Sequence, residues 1–341
     1  MAINDLLGAL AEERKSNAII VYFTGDKRPV ELFSTQIALD VLDLFEKHLY
    51  RLGKLNKISL FLYSSGGSID APWPLVSLIR EYCKEFEVIL PNKALSAATL
   101  ICLGADKIIM TPYSFLSPID PQGNFVIGKE QKRIQVEDVT GFINFVKTKI
   151  GVTEQQALTE VTKLLSNEIA PSTLGSINRT HSLIRLLADN LLKSHRSKPE
   201  DHQIKVIIEN LTEKLYSHQH LIGRKEAKML IGFKKLIDYA NNNEEKSIRK
   251  IFSHYQSIMK LNGEFRPQDI LGTNNEAELT VVRAVIDSPV RTDEFTSVYN
   301  LRKIQDPSAP RPFGINVDDK GWIGTDHEIT KKAAKKEAKH E

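Results

Sequence analysis

The 341-residue sequence is poor in cysteine, in net charge and in long apolar runs. Its two cysteines, Cys83 and Cys102, provide no disulfide framework and no metal-ligand pattern, and we expect both to be buried thiols in a reducing compartment. A formal net charge of +3 gives no sign of a nucleic-acid surface. The most apolar stretch, residues 94–105, is too short for a bilayer, and no signal peptide is evident. We therefore expect a cytoplasmic protein without a transmembrane segment, a metal or another cofactor.

The residues that are present favour an α/β fold. Hydrophobic residues make up 41% of the chain and charged residues 26%, which suits a globular protein with a substantial core. Four apolar runs predict strands: 18–23, 57–63, 87–90 and 107–110. Three segments between them have helical periodicity: 35–52, 73–86 and 96–103. This alternation predicts parallel βαβ units, in which ligands bind beyond the carboxyl ends of the strands.

Two turns at the ends of predicted strands carry candidate functional residues. In the first, YSSGGSID, Gly66 and Gly67 allow the backbone to direct N–H groups into a cleft, and Gly66 and Ser68 are candidate substrate-binding residues. In the second, Ser96 stands where a loop becomes a helix of small residues, whose free N–H groups favour negative charge. The N–H groups of Gly67 and Ala97 can then surround one carbonyl oxygen. Taken singly, a tight turn explains the first motif and a helix cap explains the second.

Taken together and in this order, the two turns resemble the Clp protease and signal peptide peptidase A group of the crotonase superfamily. In that group a Gly-Gly follows one strand and a nucleophilic serine precedes the next helix. The run LYSSGG…ALSAATLICLGADKIIMTPYSFLSPIDPQ looks most like the serine dehydrogenase proteinase branch. The segment HLIGRKEAKMLIGF is similar to the signature that closes these domains. The resemblance covers residues 17–235.

The resemblance implies a Clp/crotonase-like core of repeated ββα and βαβ units, with added helices and a C-terminal extension. We expect the core with the Ser96 site over residues 1–175 and a helical insert with the closing segment over 176–235. A helical and β C-terminal extension with a charged tail is expected over 236–341. Relatives of this fold usually assemble into rings or stacked trimers, so a homo-oligomer is also implied.

The resemblance implies Ser96 as a nucleophile, which needs a base within hydrogen-bond reach. Clp proteases carry a histidine after the serine helix, but the corresponding stretch, residues 116–122, contains none. Signal peptide peptidase A relatives use a lysine from the following region. In this chain Lys129 and Lys132 lie near that position, where a solvated surface charge is the other interpretation.

Two further residues are candidates for proton transfer. In Clp proteases the acidic triad member lies just before the closing signature, and the matching stretch of this chain contains His218, a candidate base. Asp120 can orient that base or a water molecule, as a buried carboxylate commonly does. Each residue also has a structural interpretation as part of a turn.

Three functions compete at this point. The first is a serine peptidase that cuts a peptide or protein substrate through an acyl-enzyme at Ser96, with Gly67 and Ala97 as the oxyanion hole. The second is a crotonase-like enzyme acting on an acyl-CoA thioester, in which the same N–H groups stabilise an enolate. The third is a catalytically inactive assembly module that kept the fold and lost its base.

Overall fold

The structure, a computed structural model, describes residues 3–119, 122–127, 130–215, 217, 219–229, 232–304 and 312–328. Its helices are α1 (Ile3–Arg14), α2 (Val30–Phe33), α3 (Val41–Leu52), α4 (Pro72–Tyr82), α5 (Ala97–Leu103), α6 (Val136–Phe145), α7 (Gln155–Glu168), α8 (Pro171–Lys193), α9 (Asp201–Thr212), α10 (Arg224–Met229), α11 (Asn242–Ile258) and α12 (Pro267–Leu271), with a π-helical turn at Val146–Ile150. None of the described helices is both long and apolar enough to cross a membrane.

The strands form one large sheet and two small ones. They are β1 (Ala18–Thr24), β2 (Leu55–Tyr63), β3 (Cys83–Leu90), β4 (Lys93–Ala94), β5 (Lys107–Met110), β6 (Phe115–Leu116), β7 (Gln122–Ile127), β8 (Glu130–Gln135), β9 (Ile222–Gly223), β10 (Ile237–Tyr239), β11 (Glu276–Ser288), β12 (Arg291–Lys303) and β13 (Phe313–Asp326). The large sheet has the order β10-β5-β3-β2-β1-β11-β12-β13, and a second sheet has the order β4-β6-β9. Strands β7 and β8 form an antiparallel pair. The predicted α/β class is confirmed.

The first five strands of the large sheet are parallel, as the βαβ pattern predicts. One row of side chains crosses all five strands in register: Ile237, Ile108, Val88, Leu60 and Ile20. All five are fully buried and belong to the larger core cluster, which includes residues of α3, α4, α5, α8 and α9. Residues of α1 and α11 belong to a second core cluster with other residues of these strands. Burial on both faces explains why these strands read as continuous apolar runs.

The C-terminal strands continue the large sheet. Strand β11 pairs with β1 in antiparallel fashion, and β12 and β13 follow it outward. A buried histidine fastens this hairpin to α3: His48 Nδ1 lies 2.7 Å from Ser288 Oγ, and His48 Nε2 lies 3.0 Å from Asp293 Oδ2. Burial, which outweighs the nearby carboxylates, lowers the pKa of His48. The domain limits expected from the sequence stay a prediction.

Three sequence-based assignments need correction. The predicted helix over 73–86 ends at Tyr82, and β3 begins at Cys83, where the chain starts to pair with β2 at Leu55. Cys83 is half-buried, whereas Cys102 is buried as expected. The helix predicted over 35–52 begins at Val41, after an extended segment that contains Ile37. Strand β13 lies within the extension expected over 236–341, where its glycines and aspartates mask the β pattern.

A buried ion network joins α1 and α11 to β3. Glu87, which is fully buried, receives hydrogen bonds from Arg14 at 2.5 and 3.1 Å and from Lys57 at 2.9 Å. Arg14 also donates to Glu244 of α11 at 2.8 Å. Burial opposes ionisation of Glu87, but the hydrogen bonds and charges of Arg14 and Lys57 outweigh it and lower the pKa of this carboxyl. The charged form of Glu87 therefore stabilises the fold.

We expect Glu87→Gln to lower the free energy of unfolding by about 3 kcal/mol at neutral pH, because it leaves two cations short of a partner in a buried site. The folded-state pKa of Glu87 lies below the unfolded value of about 4.3, so this contribution is complete above that pH and is lost as pH falls through the folded value. Urea unfolding of both proteins at pH 7 and in acid measures the difference.

Glu85→Gln is the matched control. Glu85 contacts the same lysine at 3.3 Å, but its side chain is 35% exposed, so its loss costs at most about 1 kcal/mol. Equal losses in the two variants would contradict a special role for Glu87.

Candidate active site

The glycine turn that follows β2 is held from one side by Ile37. The Ile37 N–H donates to the Gly66 carbonyl at 2.9 Å, and the Ser68 N–H donates to the Ile37 carbonyl at 2.8 Å. A Cβ atom placed on Gly67 would lie 2.2 Å from the Ile37 oxygen. Glycine at this position is thus required by the close approach of a neighbouring backbone, and Ile37 fixes the course of the turn.

The same turn is tied to the chain that leads to Ser96. The Ser64 N–H donates to the Lys93 carbonyl and the Leu95 N–H donates to the Ser64 carbonyl, both at 3.1 Å. The buried Ser64 hydroxyl oxygen accepts hydrogen bonds from Thr24 Oγ1 at 2.7 Å and from the Gly66 N–H at 3.0 Å. These bonds join the carboxyl ends of β1 and β2 to strand β4.

Ser96 has an unusual backbone conformation. Its φ is 53° and its ψ is −116°, a combination that costs about 1–3 kcal/mol for a residue with a side chain. The Ser96 N–H donates to the Ser117 hydroxyl at 2.7 Å. The Ser96 side chain makes no capping hydrogen bond to α5. Ser96 therefore does not serve as a side-chain cap of this helix, and its conformation is imposed by its surroundings.

The two turns are in direct contact. Glycine 66 has a φ of 104°, and a Cβ atom there would lie 2.7 Å from the Leu95 oxygen, 3.0 Å from Ser96 Cβ and 3.4 Å from the Ala97 nitrogen. Among the described residues, none accepts a hydrogen bond from the N–H groups of Gly67 and Ala97. Two unpaired N–H groups beside a half-buried serine suit an oxygen that gains negative charge.

An ion pair lies beside this site. Lys93 Nζ contacts Asp26 Oδ2, and Asp26 also accepts hydrogen bonds from the Tyr63 hydroxyl at 2.8 Å and from Ser65 Oγ at 3.3 Å. Burial and the neighbouring Asp26 raise the pKa of the Tyr63 phenol. Lys93, three residues before Ser96, is thus held away from the serine by its contact with Asp26.

The predicted proton-transfer residues are placed as follows. Asp120, Lys129 and His218 lie outside the described residues, and Lys132 lies on β8. The structure places Gly66 against Leu95, Ser96 and Ala97, and Gly67 and Ser68 follow Gly66 in the same turn.

Sequence reasoning missed Ser117 and Ile37. Ser117 lies in the stretch 116–122, which lacks the histidine of Clp proteases, and its hydroxyl oxygen accepts the hydrogen bond of the Ser96 N–H. Ile37 has no polar side chain, and its role resides in its backbone, so its residue type gives no signal. Asp26 and Lys93 carry a weak signal, since each follows a predicted strand end.

Residues 51–130 match the family model of the ClpP-like SDH-type serine proteinases. This segment is similar to proteins of the ClpP-like SDH type. It contains both turns, from Gly66 to Ala97, and it confirms the resemblance on which the sequence interpretation rests. The family is one of serine peptidases, so the comparison supports a peptidase in general terms.

Two curated relatives are uncharacterized proteins from the archaeon Methanocaldococcus jannaschii, 40% and 35% identical to this chain over 65 residues. Each match covers 19% of this chain. The chain spans under a quarter of the length of these relatives, 23% of one and 22% of the other.

Solved structures with a ClpP-like fold are also similar to this chain. ClpP1 from Listeria monocytogenes is 16% identical, with 70% of this chain and 99% of that chain covered and a TM-score of 0.36. A mutant of the same protein is 14% identical, with 69% and 99% covered and a TM-score of 0.37. A mutant of the 1510-N membrane-bound stomatin-specific protease is 22% identical, with 38% and 61% covered and a TM-score of 0.26.

We expect Gly66→Ala to destabilise the protein by about 2 kcal/mol, because the left-handed φ disfavours alanine and the added methyl group meets the Leu95 carbonyl. The methyl group also displaces the Ser96 backbone. Urea unfolding measures the first effect, and the amide resonances of Ser96 and Ala97 report the second.

Gly175→Ala serves as the control for this substitution. Gly175 lies within α8, and nothing lies within 4 Å of a Cβ atom placed there. Alanine should stabilise this helix by up to about 1 kcal/mol and leave both amide resonances in place. A Gly66→Ala protein with wild-type stability and unchanged resonances would contradict the required contact between the turns.

Proposed function

We propose that this protein is a serine peptidase that hydrolyses peptide bonds through an acyl-enzyme at Ser96. The observation that carries the proposal is the strained backbone of Ser96 beside the unpaired N–H groups of Gly67 and Ala97. Strain of this kind persists only where the surrounding structure enforces it, and it is concentrated at functional sites. The match of residues 51–130 to a serine proteinase family supports the same conclusion.

The proposed reaction follows from these positions. Ser96 Oγ attacks the scissile carbonyl carbon and gives its proton to a base, while the carbonyl electron pair moves onto oxygen. The N–H groups of Gly67 and Ala97 stabilise this oxyanion, and the loss of one such donor typically costs 10²–10³-fold in rate. The intermediate then expels the protonated amine, and water hydrolyses the resulting ester by the same route. Gly66 and Ser68 are proposed to bind the substrate backbone.

The base belongs to the proposal as well. From the sequence, His218 is the candidate base and Asp120 the residue that orients it, with Lys129 and Lys132 as alternatives. A peptide or protein substrate and assembly into a homo-oligomer complete the proposal, and both come from the family resemblance.

We expect a fluorophosphonate probe to label the wild-type protein covalently and Ser96→Ala to abolish both the label and peptide hydrolysis, because the hydroxyl is the attacking atom. Gel fluorescence and mass spectrometry of the modified peptide provide the measurement. Ser182→Ala, at an exposed position of α8, is the matched serine control and should label like wild type.

Two other results would replace the proposal. Tight binding of coenzyme A with Ser96→Ala fully active would indicate the acyl-CoA enzyme. A stable assembly that is neither labelled nor active on any peptide or ester would indicate the inactive module.

A further inference from the structure

A cavity of about 200 Å³ is lined by the large sheet and by the segment 34–40, which joins α2 to α3. Part of its lining is one row of residues in register across four strands: Thr24, Ala284, Phe295 and Trp322. The volume corresponds to about six water molecules at about 30 Å³ each, so the cavity has the size of a small organic molecule.

A fully buried tyrosine of β1, Tyr22, also lines this cavity. Among the residues that the structure describes, none forms a hydrogen bond with the Tyr22 hydroxyl. Burial and the charge of Asp40, which lines the same cavity, raise the pKa of this phenol, so Tyr22 keeps its proton at neutral pH. A buried donor without a partner costs free energy. A ligand of this cavity should therefore offer Tyr22 an acceptor, such as a carbonyl oxygen.

The carboxylate of Asp40 supplies the complementary group. One of its oxygens accepts the hydrogen bond of the Trp322 indole N–H at 2.9 Å. A carboxylate can accept about four hydrogen bonds, so this contact leaves Asp40 able to accept a further one. A ligand that accepts from Tyr22 and donates an N–H to Asp40 would match both residues.

The charges that line the cavity disfavour an anion. Two carboxylates, Asp40 and Asp319, stand against a single guanidinium, Arg283. That guanidinium already donates to the carbonyls of Phe33 and Ser34, at 3.4 and 2.6 Å, and to Asp319 at 2.9 Å. Arg283 therefore serves to hold the wall of the cavity, and an uncharged ligand fits the lining better than a carboxylate or a phosphate.

The remaining surface is aromatic. The rings of Phe295 and Trp322 meet edge to face with their centroids 5.6 Å apart, and they offer a planar molecule an apolar contact. Binding sites for small molecules combine such an apolar lining with a few placed polar groups.

We infer that this cavity binds a small, uncharged molecule in which a planar ring carries a carboxamide. The amide carbonyl accepts from the Tyr22 hydroxyl, the amide N–H donates to Asp40, and the ring packs against Phe295 and Trp322.

The site lies next to both supports of the glycine turn. Ile37, whose N–H donates to the Gly66 carbonyl, belongs to the segment 34–40, and Thr24 donates to the Ser64 hydroxyl. Apart from the bridge at Ile37, this segment forms neither helix nor strand, so it can move by the small distance that brings a ligand against a buried hydroxyl. The amide resonance of Gly66 should therefore report binding.

The first test uses benzamide as the probe, with the full chain. We expect saturable shifts of the amide resonances of Thr24, Ile37 and Gly66 as benzamide is added. Benzoate has nearly the same shape but carries a negative charge and no N–H. It should bind at least about tenfold more weakly, because it loses the hydrogen bond to Asp40 and meets a like charge there.

The second test removes the hydroxyl. Tyr22→Phe should bind benzamide about tenfold more weakly, the effect of one hydrogen bond, and should keep at least wild-type stability in urea unfolding. Tyr255→Phe is the matched control, because it removes a buried hydroxyl from the other core cluster, where it donates to Asp287 at 2.5 Å. This control should bind benzamide as wild type does.

Three results would overturn the inference: no saturable shifts with wild type, equal affinity for benzamide in Tyr22→Phe, or equal affinity of wild type for benzoate. Loss of stability in Tyr22→Phe together with no binding would show that the hydroxyl serves a buried water and that the cavity is structural. None of these results depends on labelling of Ser96, so the peptidase proposal stands or falls separately.

Discussion

The contact between the glycine turn and the Ser96 turn is the constraint on which the candidate site depends. Two parallel strands end at the same edge of a sheet, but side chains normally keep the backbones of the loops beyond them apart. Because Gly66 has no Cβ atom, Leu95, Ser96 and Ala97 can approach its backbone closely. Ile37 on one side and Ser117 on the other then hold the two turns in this position. Backbone atoms make almost all of these contacts, so only a few residue types in the sequence indicate them.

The rest of the core fixes the register of the strands and therefore the relative positions of their carboxyl ends. The buried row from Ile237 to Ile20 fixes the register of five parallel strands, and a shift of one residue would turn each apolar side chain to the opposite face. The ion network around Glu87 fastens helices to the sheet face that α5 does not cover. The position of the candidate site therefore depends on packing at residues well away from Gly66 and Ser96.

The sequence predicted those features that depend on residues close together along the chain. Strand β5 was predicted with its observed limits, since a short apolar run between turn residues has few interpretations, and the Gly-Gly and Ser96 motifs identified both turns. It was less informative where one residue acts on another far along the chain. Nothing near Ile37 indicates that it would bond to Gly66, and the helical pattern before residue 83 hides the pairing of residues 83–86 with β2. The sequence did not predict strand β13, because its composition does not favour a strand. Its pairing with β12 holds it in the extended conformation.

The position of β11 against β1 has a consequence for biosynthesis. The ribosome releases β1 first, since β1 ends at Thr24, but the strand that pairs with its free edge begins only at Glu276. Until β11 emerges, the nascent sheet carries an open strand edge of the kind on which chains pair with one another. The pairing of β1 with β11 also joins residues that are far apart in the sequence, and contacts of this kind slow folding. The free edge of β1 is therefore open to pairing with other chains until β11 has been synthesised.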